Sequence, residues 1–183
     1  MATGRIVLIS GAPGTGKSTA AALLARDSQL EASLNLRTDS FYEALGKGAV
    51  PPHLPGSETQ NQVVIEAFLA AAERFAQGGY DVIVDGVVGP WYLEPWLAAA
   101  RKGTEIHYFV LRADRETTLA RALDRAKLDQ DTNRQLVETM WEQFARLGPW
   151  EPYALDTTRL TPQETAALLQ EKLRLGSHRL GAG

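Results

Sequence analysis

Cysteine is absent from this chain of 183 residues. Its absence excludes disulfide bonds, thiolate metal sites and cysteine nucleophiles. Histidine is scarce as well: only His53, His107 and His178 occur, and none has a partner at the spacing of a paired metal site. We therefore expect no structural zinc site.

The chain also lacks a long apolar run and an excess of positive charge. No apolar run approaches the roughly 20 residues that span a bilayer, and the N-terminus lacks the basic start, apolar middle and cleavage site of a secretory signal. With 19 Lys and Arg against 22 Asp and Glu, the formal charge of −3 supplies no general basic field for nucleic acid or a membrane surface. We expect a cytoplasmic protein without a membrane partner, and nucleic acid is a disfavoured partner.

Short apolar segments alternate with helical patterns along the chain. Buried strands are expected at 6–9, 34–36, 80–84, 106–111 and 153–156. One helix between them ends at Gly78-Gly79 and carries an apolar stripe formed by Val63, Val64, Ala67, Phe68, Ala71 and Phe75. This alternation predicts a parallel sheet with helices on both faces. We expect one domain over 1–176, with a long surface loop at 45–61 and a flexible tail at 177–183.

Two predicted helices begin with recognisable caps. Asp114 is the expected N-cap of the helix that follows the fourth strand. Thr161, Pro162 and Glu164 form the pattern of a capping box with proline at the first helical position. A further helix over 131–147 carries an apolar stripe made of Leu136, Met140, Trp141 and Phe144.

A glycine-rich segment lies between the first predicted strand and the first predicted helix. It has the pattern G-x-x-x-x-G-K-[ST] and consists of Gly11, Ala12, Pro13, Gly14, Thr15, Gly16, Lys17 and Ser18, followed by Thr19. The glycines let backbone N–H groups point at a polyphosphate, and the helix N-terminus adds about half a positive charge. Lys17 can then reach the β- and γ-phosphates, and the hydroxyl of Ser18 can hold Mg²⁺. A glycine-rich turn without a ligand would have no need for both this lysine and this serine.

This segment resembles the phosphate loop of P-loop nucleoside-triphosphate phosphotransferases. The similarity is to small kinases of the adenylate, gluconate and shikimate type, and to the chloramphenicol phosphotransferase-like group. It implies an α/β three-layer P-loop NTPase fold, with a five-stranded parallel sheet in the order 2-3-1-4-5, helices on both faces and a lid at about 125–135. It also implies ATP as the donor and Mg²⁺ as the cofactor.

A carboxylate follows the second predicted strand, in the segment R-T-D-S-F-Y at 37–42. Asp39 would lie at the strand ends, where open α/β sheets bind ligands, and could accept the proton of an attacking hydroxyl. The segment is similar to the D-S element of the chloramphenicol phosphotransferase-like kinases, in which the Asp is the base. The alternative is that Asp39 or Ser40 only caps the following helix.

A second carboxylate, Asp85, ends the third predicted strand in D-V-I-V-D-G. This is the Walker B arrangement, in which a carboxylate holds Mg²⁺, often through water. Many parallel strands end in an aspartate that only caps or turns the next segment, so this alternative also stands.

Arginines four residues apart follow the fourth predicted strand. Arg121 and Arg125 share one face of a helix. The spacing resembles that of adenylate-kinase-type enzymes, which implies that Arg121 packs on the adenine and that Arg125 neutralises the transferring phosphate. Arg134 is a further lid candidate, and a solvated helix face explains the pair equally well. By the same resemblance Thr158, in the loop after the last strand, lines the adenine pocket largely through backbone groups.

Aromatic residues border both predicted carboxylate segments. Tyr42 follows Asp39, and Trp91, Tyr92 and Trp96 follow Asp85. If both segments reach the site, the acceptor pocket suits a small molecule with an apolar or ring portion. The alternative is that the two tryptophans and Tyr92 pack a short helix against the sheet.

Three functions remain open at this point. The first is an ATP-dependent transfer of the γ-phosphoryl group to a hydroxyl of a small molecule, as a monomer or homodimer. The second is a nucleoside or polynucleotide 5′-hydroxyl kinase, although a polynucleotide would need a basic, aromatic groove. The third is a nucleotide-binding switch without phosphotransfer, although the N-K-x-D and D-x-x-G elements of a GTPase are missing.

Overall fold

Parallel strands form the centre of the molecule. The computed structural model describes the backbone of residues 4–123 and 130–181, and the side chains of these residues except 130–133. One sheet contains β1 Arg5–Ser10, β2 Ser33–Arg37, β3 Asp81–Asp85, β4 Ile106–Arg112 and β5 Ala154–Asp156. The strand order is β2-β3-β1-β4-β5 and all pairs are parallel, which confirms the expected fold class.

Helices cover both faces of the sheet. They are α1 Lys17–Arg26, α2 Thr38–Glu43, α3 Glu58–Gln77, α4 Glu94–Arg101, α5 Arg115–Leu123, α6 Gln130–Ala145 and α7 Pro162–Leu175. Short 3₁₀ helices lie at Pro90–Tyr92 and Gly148–Tyr153. Helices α1 and α7 pack on one face, whereas α3, α4 and α6 pack on the other. The three central strands are buried from both sides because their residues form continuous apolar runs.

The strand register brings chemically important segments to one edge of the sheet. Ile9 of β1 pairs with Asp85 of β3, which in turn pairs with Arg37 of β2. The segments that follow these strands therefore leave the sheet side by side. The parallel direction of the strands thus places the phosphate loop, Asp85 and the start of α2 at a common edge.

Both expected caps are confirmed. The carboxylate of Asp114 accepts a hydrogen bond of 2.7 Å from the N–H of Thr117. The hydroxyl of Thr161 accepts from the N–H of Glu164 at 3.2 Å, and the Glu164 carboxylate accepts from the N–H of Thr161 at 2.8 Å. These bonds satisfy N–H groups that have no partner within the helix.

The apolar face predicted for α3 needs correction. Val64 and Phe68 are buried as expected, but Val63 is 60% exposed and Phe75 is 41% exposed. The buried face is instead formed by Asn61, Val64, Ile65, Phe68, Leu69, Ala72 and Ala76. The sequence of α3 is apolar on more than one face, so spacing alone permits two stripes. Packing of Leu69, Ala72 and Ala76 into the core selects between them.

The predicted tail also differs in the structure. Helix α7 ends at Gly176, and the following residues lie antiparallel beside β4. The N–H of Leu180 donates to the carbonyl of Ile106 at 2.8 Å, and the N–H of Tyr108 donates to the carbonyl of His178 at 2.9 Å. His178 and Leu180 are both buried. Residues 177–181 therefore extend the sheet locally, because β5 pairs only with the other end of β4.

We expect Leu180→Ala to lower the free energy of unfolding by about 2–3 kcal/mol, since the side chain is buried and its removal leaves a cavity. Leu175→Ala is the matched control, because Leu175 is exposed and its loss should cost less than about 0.5 kcal/mol. Urea denaturation measures both. Equal, small effects of the two changes would contradict the docked position of the C-terminal segment.

Candidate active site

A cavity of about 880 Å³ opens at the carboxyl ends of the strands. The phosphate loop, α2, the segment after β3, α5 and α6 contribute to its wall. Its position agrees with the rule that open α/β sheets bind ligands outside the carboxyl ends of their strands. Its volume lies in the range of small-molecule sites, about 300–1,000 Å³.

The phosphate loop curls between β1 and α1. Gly14 has a φ of 83°, and a Cβ atom there would lie 2.3 Å from the carbonyl oxygen of Thr118, so a larger residue would collide with α5. The hydroxyl of Thr15 donates to the carbonyl of Ala12 at 2.8 Å and ties the loop to itself. The first turn of α1 contains no acidic residue. The partial positive charge at the N-terminus of α1 is therefore left for a ligand.

Lys17 is buried at the base of this loop, with 8% of its surface exposed. Its ammonium donates a hydrogen bond of 2.8 Å to the carbonyl of Ala12. Burial lowers the pKa of Lys17 to about 8, although the nearby carboxylates of Asp85 and Asp39 oppose the shift. Both carboxylates therefore lie close enough to act on this ammonium.

Asp85 and Ser18 are the residues that fit a magnesium ion at this site. Asp85 ends β3, is 5% exposed and lines the cavity, whereas Ser18 lies in the first turn of α1 with an exposed side chain. Among the described residues no group of three acidic or histidine side chains could hold a metal by itself. This donor set suits Mg²⁺, which is bound by one or two protein oxygens together with phosphates and water.

A hydrogen-bonded clamp fixes the segment that follows Asp85. The hydroxyl of Ser10 donates to the carbonyl of Val88 at 2.8 Å and accepts from its N–H at 3.0 Å. The hydroxyl of Tyr108 donates to the same carbonyl at 2.8 Å. Burial raises the pKa of Tyr108, so its hydroxyl stays protonated and keeps donating. Strands β1 and β4 thereby hold the chain downstream of β3.

Asp39 lies in the first turn of α2 with 68% of its side chain exposed, and it borders the same cavity. It is not a helix cap, because the N-cap position is occupied by Arg37 and the cap has no side-chain hydrogen bond. A guanidinium nitrogen of Arg37 lies 3.5 Å from its carboxylate. A Cβ atom at Gly86 would lie 2.3 Å from the Oγ1 atom of Thr38. Because Gly86 has no side chain, Thr38 at the start of α2 can lie close to the residue that follows Asp85.

Arg121 and Thr158 lie together at the other end of the loop. A guanidinium nitrogen of Arg121 donates to the carbonyl of Thr158 at 3.4 Å, and Arg121 lines the cavity. The Thr158 hydroxyl is used locally: it accepts from the N–H of Asp114 and donates to Asp156 at 2.6 Å. The backbone of Thr158 is engaged as well: its N–H donates to the carboxylate of Asp156 at 2.9 Å, and its carbonyl accepts from Arg121.

The predicted lid contains two further arginines. Arg125 and residues 126–129 of the predicted lid at 125–135 lie outside the described residues. Arg134 is exposed and does not line the cavity.

The aromatic residues after Asp85 divide between the cavity and the core. Trp91 and Tyr92 line the cavity, and the Trp91 ring packs 5.4 Å from that of Phe144. Trp96 is fully buried among core residues on the α3 side of the sheet. Tyr42 also lines the cavity, and burial raises its pKa to about 12, with smaller contributions from Tyr92 and Asp39.

Sequence reasoning missed Asn61 as a cavity residue. The sequence predicts Asn61 at the end of the loop over 45–61. In the structure it lies in the first turns of α3, is 2% exposed and lines the cavity. Its amide nitrogen donates to the carbonyl of Pro52 at 2.8 Å and to the hydroxyl oxygens of Ser57 and Tyr92, each at 3.1 Å. A polar residue within the buried face of α3 was the signal that could have revealed it.

Comparison with known proteins agrees with this architecture. A sugar kinase from Janibacter sp. HTCC2649 is 16% identical, with a TM-score of 0.68 and coverage of 95% of this chain and 96% of the other. The Deinococcus radiodurans tunicamycin resistance protein is 22% identical, with a TM-score of 0.64 and coverage of 93% and 95%. The Mycobacterium tuberculosis APS kinase CysC, in a complex with AMPPNP and APS, is 17% identical, with a TM-score of 0.69 and coverage of 96% and 98%. No curated protein matches the chain.

The sheet order and the phosphate loop match the P-loop NTPase fold. The chain belongs to the AAA domain family, whose model matches residues 6–147. Within the described residues, no helix has the length and apolar character needed to cross a membrane.

We expect the buried charge of Lys17 to destabilise the protein in a pH-dependent way. The folded protein releases this proton near pH 8 and the unfolded chain near pH 10.5. The unfolded chain therefore binds more protons between these values, and this residue makes stability rise with pH across that interval.

Lys17→Met should raise the free energy of unfolding at pH 7 by about 1–3 kcal/mol and abolish this rise. Urea denaturation between pH 7 and 10.5 measures the effect. Lys102→Met, which changes an exposed lysine, should leave the pH dependence unchanged. A Lys17→Met protein with an unaltered pH profile would show that the folded pKa is not lowered.

Proposed function

We propose that this protein is an ATP-dependent kinase that transfers the γ-phosphoryl group to a hydroxyl of a small molecule. One observation carries the proposal: the phosphate loop and an exposed carboxylate, Asp39, border a single cavity that also has aromatic walls. A nucleotide-binding switch has no need for an acceptor region of this kind beside its phosphate loop. The two kinases and the resistance protein reported above share the fold, and their likeness is consistent with this chemistry.

The phosphate loop would bind the polyphosphate of ATP. Backbone N–H groups at the start of α1 would face the negative charge of the phosphates. The Lys17 ammonium would give up its hydrogen bond to the carbonyl of Ala12 and bind the β- and γ-phosphates. Ser18 and Asp85 would hold Mg²⁺, which supplies neutralisation of phosphate charge. Arg121 and the backbone of Thr158 would border the adenine.

Asp39 would act as the base. The oxygen of the acceptor hydroxyl forms a bond to the γ-phosphorus, and the bond from that phosphorus to the bridging oxygen breaks, so its electron pair leaves with ADP. The hydroxyl proton passes to the carboxylate of Asp39. Exposure to the cavity leaves this carboxylate accessible to the acceptor hydroxyl, and a guanidinium nitrogen of Arg37 lies 3.5 Å from it. Arg125 is proposed to neutralise the transferring phosphate.

The acceptor would lie against Tyr42, Trp91 and Tyr92. These side chains line the part of the cavity beyond Asp39. Flat aromatic walls bury a ring or another apolar portion of the acceptor and leave few sites for a highly hydrated molecule. We therefore propose a cytoplasmic enzyme whose acceptor carries both a hydroxyl and an apolar or ring portion.

Lys17→Met should reduce acceptor-dependent ADP release to background, because the phosphates lose their buried cation. The assay combines the protein, ATP and Mg²⁺ with a library of hydroxylated metabolites, nucleosides and oligonucleotides. Lys102→Met is the control and should retain full activity. An unchanged rate in Lys17→Met would contradict the role of the phosphate loop. ADP release that no library member increases would favour the nucleotide switch, and release with oligonucleotides alone would favour the polynucleotide kinase.

Asp39→Asn should lower kcat at least about 10²-fold while ATP affinity is retained, because the amide cannot accept the proton. Steady-state kinetics and nucleotide titration measure the two quantities. Glu43→Gln is the matched control, since it changes an exposed carboxylate at the other end of the same helix. Loss of ATP binding in Asp39→Asn would instead assign this residue a structural role.

A further inference from the structure

Among the residues that the structure describes, the positive charges of the cavity wall lie at the phosphate loop. Among its described lining residues, the lysine and arginine side chains are those of Lys17 and Arg121, and both lie at the phosphate loop. Beyond Asp39 the wall is formed by Tyr42, Pro52, Asn61, Val87, Trp91 and Tyr92, together with the imidazole of His53. No described lysine or arginine lines this acceptor wall.

The carboxylates lie between the two ends of the cavity. Asp39 and Asp85 both border it, and both act electrostatically on Lys17. An anionic group on the acceptor wall would lose water without gaining a cationic partner, and it would face these two carboxylates. Such a group is therefore rejected, whereas a neutral group loses little by entering.

The hydroxyl of Tyr92 is one of the polar groups that the acceptor wall offers. Its oxygen accepts the hydrogen bond from the amide nitrogen of Asn61. Asn61 is itself fixed through the carbonyl of Pro52 and the hydroxyl of Ser57, so the orientation of its amide is set by the loop before α3. Among the described residues no group accepts the hydrogen of the Tyr92 hydroxyl. That hydrogen remains free for a molecule in the cavity.

We propose that the acceptor is an uncharged molecule and that the Tyr92 hydroxyl donates a hydrogen bond to an oxygen atom of it. This inference rests on the proposed kinase function, because it names the chemistry of the acceptor. Asn61 is a positioning residue: it holds the phenol oxygen from the side opposite the acceptor. The acceptor wall therefore selects molecules that carry no charge and that have an oxygen atom able to accept the hydrogen bond from Tyr92.

Matched pairs of hydroxylated ring compounds test the charge selection. Mandelamide is compared with mandelate, and phenyl β-glucoside with phenyl β-glucuronide, within a library of pairs that differ by one carboxylate. The first readout is ADP release with ATP and Mg²⁺. The second is the shift in melting temperature of the protein saturated with AMPPNP and Mg²⁺. We expect kcat/KM at least about 10-fold higher for the neutral members, and larger melting shifts with them.

The two readouts separate failure of this inference from failure of the kinase function. Equal or better turnover and binding of the carboxylates would overturn the uncharged acceptor while the kinase function stands. Selective binding of neutral members without any ADP release would overturn the kinase function and support the charge selection. Absence of binding by every member of the library would overturn the inference.

Tyr92→Phe tests the hydrogen bond. Asn61 keeps two other acceptors in this variant, so we expect an unchanged melting temperature. The KM of the best neutral compound should rise about 10-fold with little change in kcat, because one hydrogen bond of ground-state binding is lost. Tyr80→Phe, a change at an exposed tyrosine, is the control. An unaltered KM in Tyr92→Phe would overturn the role of this hydroxyl.

Discussion

A buried ammonium at the start of a helix is the constraint on which this site depends. Lys17 and the N-terminus of α1 place positive charge at the same point, with a carbonyl of the phosphate loop as the hydrogen-bond partner of the lysine. Burial makes this arrangement unfavourable, as the lowered pKa of Lys17 records. In the proposed function a bound polyphosphate would relieve this cost, because it would supply negative charge beside the ammonium. The buried lysine would then lower the stability of the free protein at the point where the ligand binds.

Rigid connections to the sheet make this charged site possible. Ser10 and Tyr108 hold Val88 from two strands, which fixes the chain downstream of Asp85. The hydroxyl of Thr157, after β5, donates to the carbonyl of Thr15 at 3.4 Å and so links the phosphate loop to the far edge of the sheet. Each tie joins segments that belong to different strands of the sheet. Catalytic geometry can be held within narrow limits when its supports belong to packed strands.

The sequence predicted the elements whose signals are local. Continuous apolar runs gave the buried strands, and the caps at Asp114 and Thr161 follow from side chains that reach their own backbone. The predicted face of α3 was wrong because the sequence of this helix is apolar on several sides, so the choice depended on the tertiary packing that buries Leu69, Ala72 and Ala76. The structure also differs from the predicted flexible tail at residues 177–181. The glycines of this segment favour flexibility, but the N–H of Leu180 donates to the carbonyl of Ile106 on β4, which is distant in sequence.

The phosphate loop was determined by the sequence itself, because its glycines, lysine and serine act through backbone conformation and spacing over eight consecutive residues. The acceptor side was decided by the tertiary structure. Tyr92 is 31 residues from Asn61 in the chain, and the two meet only when α3 packs beside the segment that follows β3. The division of the aromatic residues has the same origin: Trp91 borders the cavity and Trp96 enters the core because α4 docks on the sheet through one face. Periodicity identifies a helix, but the surfaces around it decide which face is buried.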